Sequence, residues 1–129
     1  MQSKKYTTLF QVSLTIPTNV LFRCWFIDQF IFENVVAQEL YAHGFILYYY
    51  NSKNHGEVDF VIEDKNGEVI LLEVKSGKVY PRHRALNNIM EIKKYALKKA
   101  YVLGPSNIEK REEIIYLPIY LTAFFTNEN

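Results

Sequence analysis

The sequence predicts a mixed α/β sandwich built on one central sheet. Three observations predict it. Short apolar and aromatic runs of period two alternate with stretches of helical period. The breaks between them fall at Gly44, Asn66-Gly67 and Gly104-Pro105, which are cap and turn signals. No repeat or low-complexity segment points to another architecture. At 129 residues, with 49% hydrophobic and 16% aromatic side chains, the chain suits one domain with a real core and is too apolar to stay disordered.

Phe10, Val12, Leu14 and Ile16 alternate with Gln11, Ser13 and Thr15, the pattern of a half-buried strand. Pro17-Thr18-Asn19 is a turn, and Val20 to Ile27 reads as a second strand. Residues 1–27 are therefore expected to form an N-terminal β-hairpin extension and residues 28–129 the domain proper. Asp28 offers an N-cap for a helix to about His43, closed by Gly44. Phe45 to Tyr50 is a short aromatic strand, followed by a polar loop to Gly56. Strands at Glu57–Glu63 and Glu68–Lys75 are joined by Asp64-Lys65-Asn66-Gly67. A loop to Pro81 leads into a basic helix from Arg82 that fades around Tyr95. Ala100 to Leu103 is a buried strand, Ile114 to Leu117 a short one, and Pro118 opens a last apolar turn. The order is a hairpin, α-β-β-β-α-β, then one short strand.

The net charge of +1 conceals an asymmetry. Between Gln29 and Val74 stand eight acids and two lysines; between Lys75 and Arg111 stand ten bases and two acids. A cation-dependent enzyme acting on a polyanion has this pattern, and so do two solvated faces of a neutral protein. The single cysteine, Cys24, excludes an internal disulfide and a cysteine-based zinc cluster. Lys4 and Lys5 precede a stretch broken by Gln11, Ser13 and Thr15, unlike a signal peptide. No apolar run approaches the ~18 residues of a membrane span. A cytoplasmic protein without membrane contact is expected. There is no phosphate-cradling glycine loop for ATP and no nucleophilic Ser or Cys constellation.

Strand alternation puts Glu73 and Lys75 on one face and Ile70, Leu72 and Val74 on the other. In the preceding strand Glu57 and Asp59 oppose Val58, Phe60 and Ile62 in the same way. A two-residue turn would pair Asp59 with Val74 and mix acids with core. A three-residue turn with Gly67 left-handed pairs Asp59 with Glu73, Val58 with Val74, Phe60 with Leu72 and Ile62 with Ile70. The second register is expected. Two carboxylates so opposed need a shared proton, Lys75 or a divalent cation between them. Oxygen ligands alone favour Mg²⁺ or Mn²⁺. On the helix, Glu33 lies among Phe30, Val36, Ala37 and Leu40. It must neutralise, find a basic partner or lean into a polar site. If all three acids converge, at least one carboxyl pKa should rise. His55 and His83 flank the motif strands, within possible reach of a phosphate. The Tyr48-Tyr49-Tyr50 run offers stacking faces or core, and Lys93-Lys94 and Lys98-Lys99 a phosphate track or solvated surface.

Glu33 on a helix, then Gly56-Glu57-Val58-Asp59, then Glu73-Val74-Lys75, resembles the PD-(D/E)XK nuclease superfamily. A closer resemblance is to the domain of unknown function at the C-terminus of many bacterial AAA-type ATPases. It rests on Phe32 to Gln38, Glu57 to Phe60, Ile70 to Ser76 and Tyr116 to Tyr120. The resemblance implies a restriction-endonuclease-like core, a central mixed sheet flanked by helices. It also implies that Asp59, Glu73 and the Val74 carbonyl hold Mg²⁺ or Mn²⁺, with Glu33 as a further direct or water-mediated ligand. Lys75 would orient water and stabilise charge on phosphorus. The activity implied is phosphodiester hydrolysis of DNA or RNA, DNA favoured, with an AAA-type ATPase as a candidate partner. The rival expectation is a non-catalytic module that keeps the fold and binds nucleic acid or an ATPase.

Overall fold

The computed structural model describes residues 3–5, 20–77 and 83–127. Along the chain run strand β1 (Ser3–Lys5), helix α1 (Val20–Ala42), and strands β2 (Tyr48–Ser52), β3 (Gly56–Glu63) and β4 (Val69–Val74). Helix α2 (Arg84–Met90) follows, then a 3₁₀ turn at Lys93–Tyr95 and strands β5 (Ala100–Gly104), β6 (Glu109–Arg111) and β7 (Ile114–Pro118). A 3₁₀ segment at Ile119–Phe124 closes the described chain. The strands form one mixed sheet in the order β1-β2-β3-β4-β5-β7-β6. The β4–β5 and β5–β7 pairings are parallel and the others antiparallel.

Each face of the sheet carries a helix. On one, Val36, Ala37 and Leu40 of α1 pack on Phe60, Ile62, Ile70, Leu72, Val74 and Leu103. On the other, Leu86 and Ile89 of α2 pack on Val58, Val61, Leu71, Ala100, Val102 and Tyr116. Both clusters are buried. The central strands, covered on both faces, read as the near-continuous apolar runs that such burial demands. Among the described residues no helix is long and apolar enough to cross a membrane.

The expected N-terminal hairpin is corrected in its second half. Residues 20–27 belong to α1, which passes through Asp28 without a cap there. A short apolar run bounded by a turn fits a strand or a buried helical segment equally by periodicity, and this one continues into a helix without Gly or Pro. The first half, Phe10 to Ile16, lies outside the described residues. α1 ends as expected, with Gly44 at φ +82° just beyond it. The basic helix is shorter than expected, and β6 was not foreseen because Glu109-Lys110-Arg111 has no apolar alternation to reveal it.

The β3–β4 register is the expected one where the strands pair, with Phe60 facing Leu72 and Ile62 facing Ile70, but the expected Asp59–Glu73 and Val58–Val74 pairs are not part of the ladder. Gly67 takes φ +77°, its N–H bonding the Asp64 carbonyl at 2.9 Å, while the Asp64 N–H closes the turn onto the Glu68 carbonyl at 3.0 Å. One part of the parity argument fails. Tyr48 pairs with Val61 but Tyr50 with Val58, so three steps along β3 match two along β2. This bulge puts Val58 on the α2 side beside Val61, not with Phe60 as expected. A bulge re-aims the side chains within it, and here those are Asp59 and Phe60.

Gly56 opens β3 at φ +94°, and a Cβ there would lie 2.9 Å from the Cβ of Ala85 on α2. Gly56→Ala should therefore cost about 2–3 kcal/mol, through backbone strain and the clash together. Gly67→Ala, which meets only the end of the Glu63 side chain at 3.4 Å, should cost about 1 kcal/mol. Urea unfolding midpoints test the ranking. Adding Ala85→Gly should restore part of the Gly56→Ala loss and none of the Gly67→Ala loss.

Candidate active site at the end of β4

The β3–β4 ladder ends at the Phe60–Leu72 pair. Two residues further along β4, the Val74 N–H donates to Oδ2 of Asp59 at 2.7 Å, so a side chain takes the place of a strand contact. On the other side β4 stays paired with β5, and the Lys75 N–H bonds the Leu103 carbonyl at 2.8 Å. The two strands thus part where the acids lie. Glu73 is 7% exposed. Its Oε1 accepts from Lys75 Nζ at 2.5 Å, and its Oε2 is buried without a partner.

α1 reaches this point through Gln29, which sequence reasoning missed. Its Nε2 donates to Glu33 Oε1 at 2.6 Å and to the Val74 carbonyl at 2.8 Å, and its Oε1 accepts from the Ser76 N–H at 3.0 Å. The available signal was spacing: Gln29 lies four residues before Glu33, on the same helix face. Val36, Ala37 and Leu40 are core as expected, whereas Phe30 is 43% exposed.

Burial is the main cause that pushes the Asp59 carboxyl up, to about 8. Glu73 and then Glu33 add to the rise; the Val74 N–H and Lys75 oppose it. Glu33 is also raised, first by burial, with the Gln29 hydrogen bond pulling down and Glu73 and Glu57 pushing up. At Asp59 and Glu33 alike, desolvation outweighs the repulsion from neighbouring carboxylates.

The donor chemistry fits a hard cation: all the oxygens are carboxylate or carbonyl, and Oε2 of Glu73 is a buried acceptor lacking a donor. The arrangement is not a finished cage. Among the described residues, no three His, Cys, Asp or Glu side chains are grouped to hold an ion. Gln29 takes both the Val74 carbonyl and one Glu33 oxygen.

Other candidates lie elsewhere. His83 is buried, with Nδ1 bonded to Asn87 Oδ1 at 2.8 Å and Nε2 to the Tyr116 hydroxyl at 2.5 Å, so both ring nitrogens are engaged within the fold. With Arg111 it lines a cleft of about 500 Å³ that contains none of the site carboxylates. His55 sits in the β2–β3 turn, 3.3 Å from Ser52 Oγ. Tyr50 is core. Lys98 pairs with Glu68, and Lys99 acts on Asp64, beside the β3–β4 turn. That is the end of β4 opposite Glu73, so these lysines do not flank Lys75.

An acid whose pKa is higher folded than unfolded binds its proton more tightly in the folded state. Its contribution is full below the unfolded value, near 3.8 for Asp59, and is lost as pH rises through about 8. Asp59→Asn keeps an oxygen for the Val74 N–H and removes the charge. Melting curves from pH 4 to 9 should show the variant gaining on wild type as pH rises, by about 5 °C or more at the alkaline end. A constant gap would mean that Asp59 does not carry a raised pKa.

Among curated proteins and solved structures, nothing matches the chain. A family model described as a domain of unknown function, DUF4143, matches residues 29–122. The match begins at Gln29 and takes in α1 from there, β2 through β7 and most of the final 3₁₀ segment. It contains Glu33, Asp59, Glu73 and Lys75, and the chain belongs to this family.

Proposed function

We propose that this domain is a metal-dependent phosphodiesterase of the nuclease type on a restriction-endonuclease-like core, with DNA as the favoured polyanion and RNA as the other. The observation that carries the reading is Glu73: a buried carboxylate with one oxygen on Lys75 and the other unpartnered, beside the raised carboxyl of Asp59. Asp59, Glu73 and the Val74 carbonyl would hold Mg²⁺ or Mn²⁺, with Glu33 completing the set. A bound divalent cation supplies positive charge to phosphate oxygens and acidifies water. The rest falls to the chain's own residues. Glu73 Oε1 fixes the Lys75 ammonium at the parting of the strands, where it can orient a water and offset charge developing on phosphorus. The bond from the Val74 N–H holds Asp59 to β4, so that the two acids keep their spacing.

The non-catalytic reading has its own support: the site carboxylates are not gathered into a cage, and Lys98 and Lys99 lie away from them. In that reading the domain serves a nucleic acid or an AAA-type ATPase, in whose proteins the family is common.

Cleavage of labelled single- and double-stranded DNA should require Mn²⁺ or Mg²⁺ and fall by about 100-fold or more in Lys75→Ala. Retained cleavage in that variant would place the activity in a contaminant or another site. Ion binding should raise the melting temperature of wild type, by about 2.7 kcal/mol of stability at 100 times Kd, and Asp59→Asn should lose most of that response. Because Asp59 is largely protonated at pH 7, Mn²⁺ binding should release about one proton, read by calorimetry in buffers of different ionisation enthalpy. No metal-dependent shift in wild type would favour the interaction module.

A further inference from the structure

The geometry points to Gln29 as an internal competitor for the cation, a side-chain amide whose N–H groups occupy two of the oxygens that a metal ion would need. This inference rests on the function proposed above. The orientation of the amide follows from its partners: the Ser76 N–H can only donate, so the atom facing it is Oε1. Nε2 then faces two acceptors, Glu33 Oε1 at 2.6 Å and the Val74 carbonyl at 2.8 Å, and both its hydrogens are spoken for. The positive end of the amide dipole therefore satisfies two oxygens from different elements, as a cation would. Glu73 Oε2, beyond its reach, stays buried and unsatisfied. Binding an ion through Val74 and Glu33 requires these two bonds to open, so only the fraction of molecules with Gln29 turned away is competent, and affinity falls by that fraction.

Gln29→Met preserves length and most of the volume but has no donor. In calorimetric titrations with Mn²⁺ it should bind about tenfold more tightly than wild type, the worth of roughly one net hydrogen bond in an equilibrium constant. The metal-free variant should melt lower, since the link from α1 to β4 is gone. Equal or weaker Mn²⁺ binding by Gln29→Met, with wild type binding, overturns the inference and leaves the proposed function standing, with Gln29 as a positioning residue for Glu33. No Mn²⁺ binding in either protein, or undiminished binding in Glu73→Gln, overturns both. Should Gln29→Met fail to fold, the side-chain amide resonance of Gln29 in wild type decides. It should shift on saturation with Mg²⁺, and an unmoved resonance under saturation overturns the inference.

Discussion

The Val74 peptide groups tie together three elements that otherwise share no covalent neighbour. The N–H goes to Asp59 on β3 and the carbonyl to Gln29 on α1, while the next N–H along, that of Lys75, goes to Leu103 on β5. Buried backbone groups must be paired, and at this point the ladder with β3 has ended, so side chains supply the partners. A polar residue at either position would answer the need. That one is an acid and the other an amide next to an acid is what turns a structural requirement into a charged site.

The electrostatics follow from where this happens. The end of β4 lies against a core that includes Leu72, Val74 and Leu103. Carboxyls there lose water before they gain partners, and this is why burial leads repulsion in raising Asp59 and Glu33. Lys75 relieves Glu73 directly and the others only at a distance. Asp59, pushed up to about 8, keeps its proton at neutral pH as a result.

Where one period ran unbroken, the sequence was legible. The segregation of Phe60, Ile62, Ile70 and Leu72 from the acids selected the three-residue turn, and Gly67 then had to be left-handed. Legibility failed where periodicity stopped carrying information. Val20 to Ile27 could extend a helix or make a strand by period alone, and the chain forms a helix there. Val58 changed face because a bulge inserts one residue, which no apolar pattern announces when both faces are buried. Gln29 was missed for a different reason: spacing put it beside Glu33, but its role lies in the loss of strand pairing at Val74, a property of the sheet rather than of the helix that carries it. The Glu33, Asp59, Glu73 and Lys75 set could be nominated from spacing, whereas how closely its members gather could not.

The sheet also terminates in a way that bears on solubility. Its β6 edge is only three residues long, Glu109-Lys110-Arg111, all exposed, with Arg111 bonded back to Glu109 at 2.7 and 3.1 Å. A long, flat, apolar edge would template the addition of a strand from another chain. Here an incoming strand would have to bury charges and disrupt an ion pair to gain at most a few backbone hydrogen bonds. The same composition that hid β6 from an apolar pattern protects this edge from pairing with another chain.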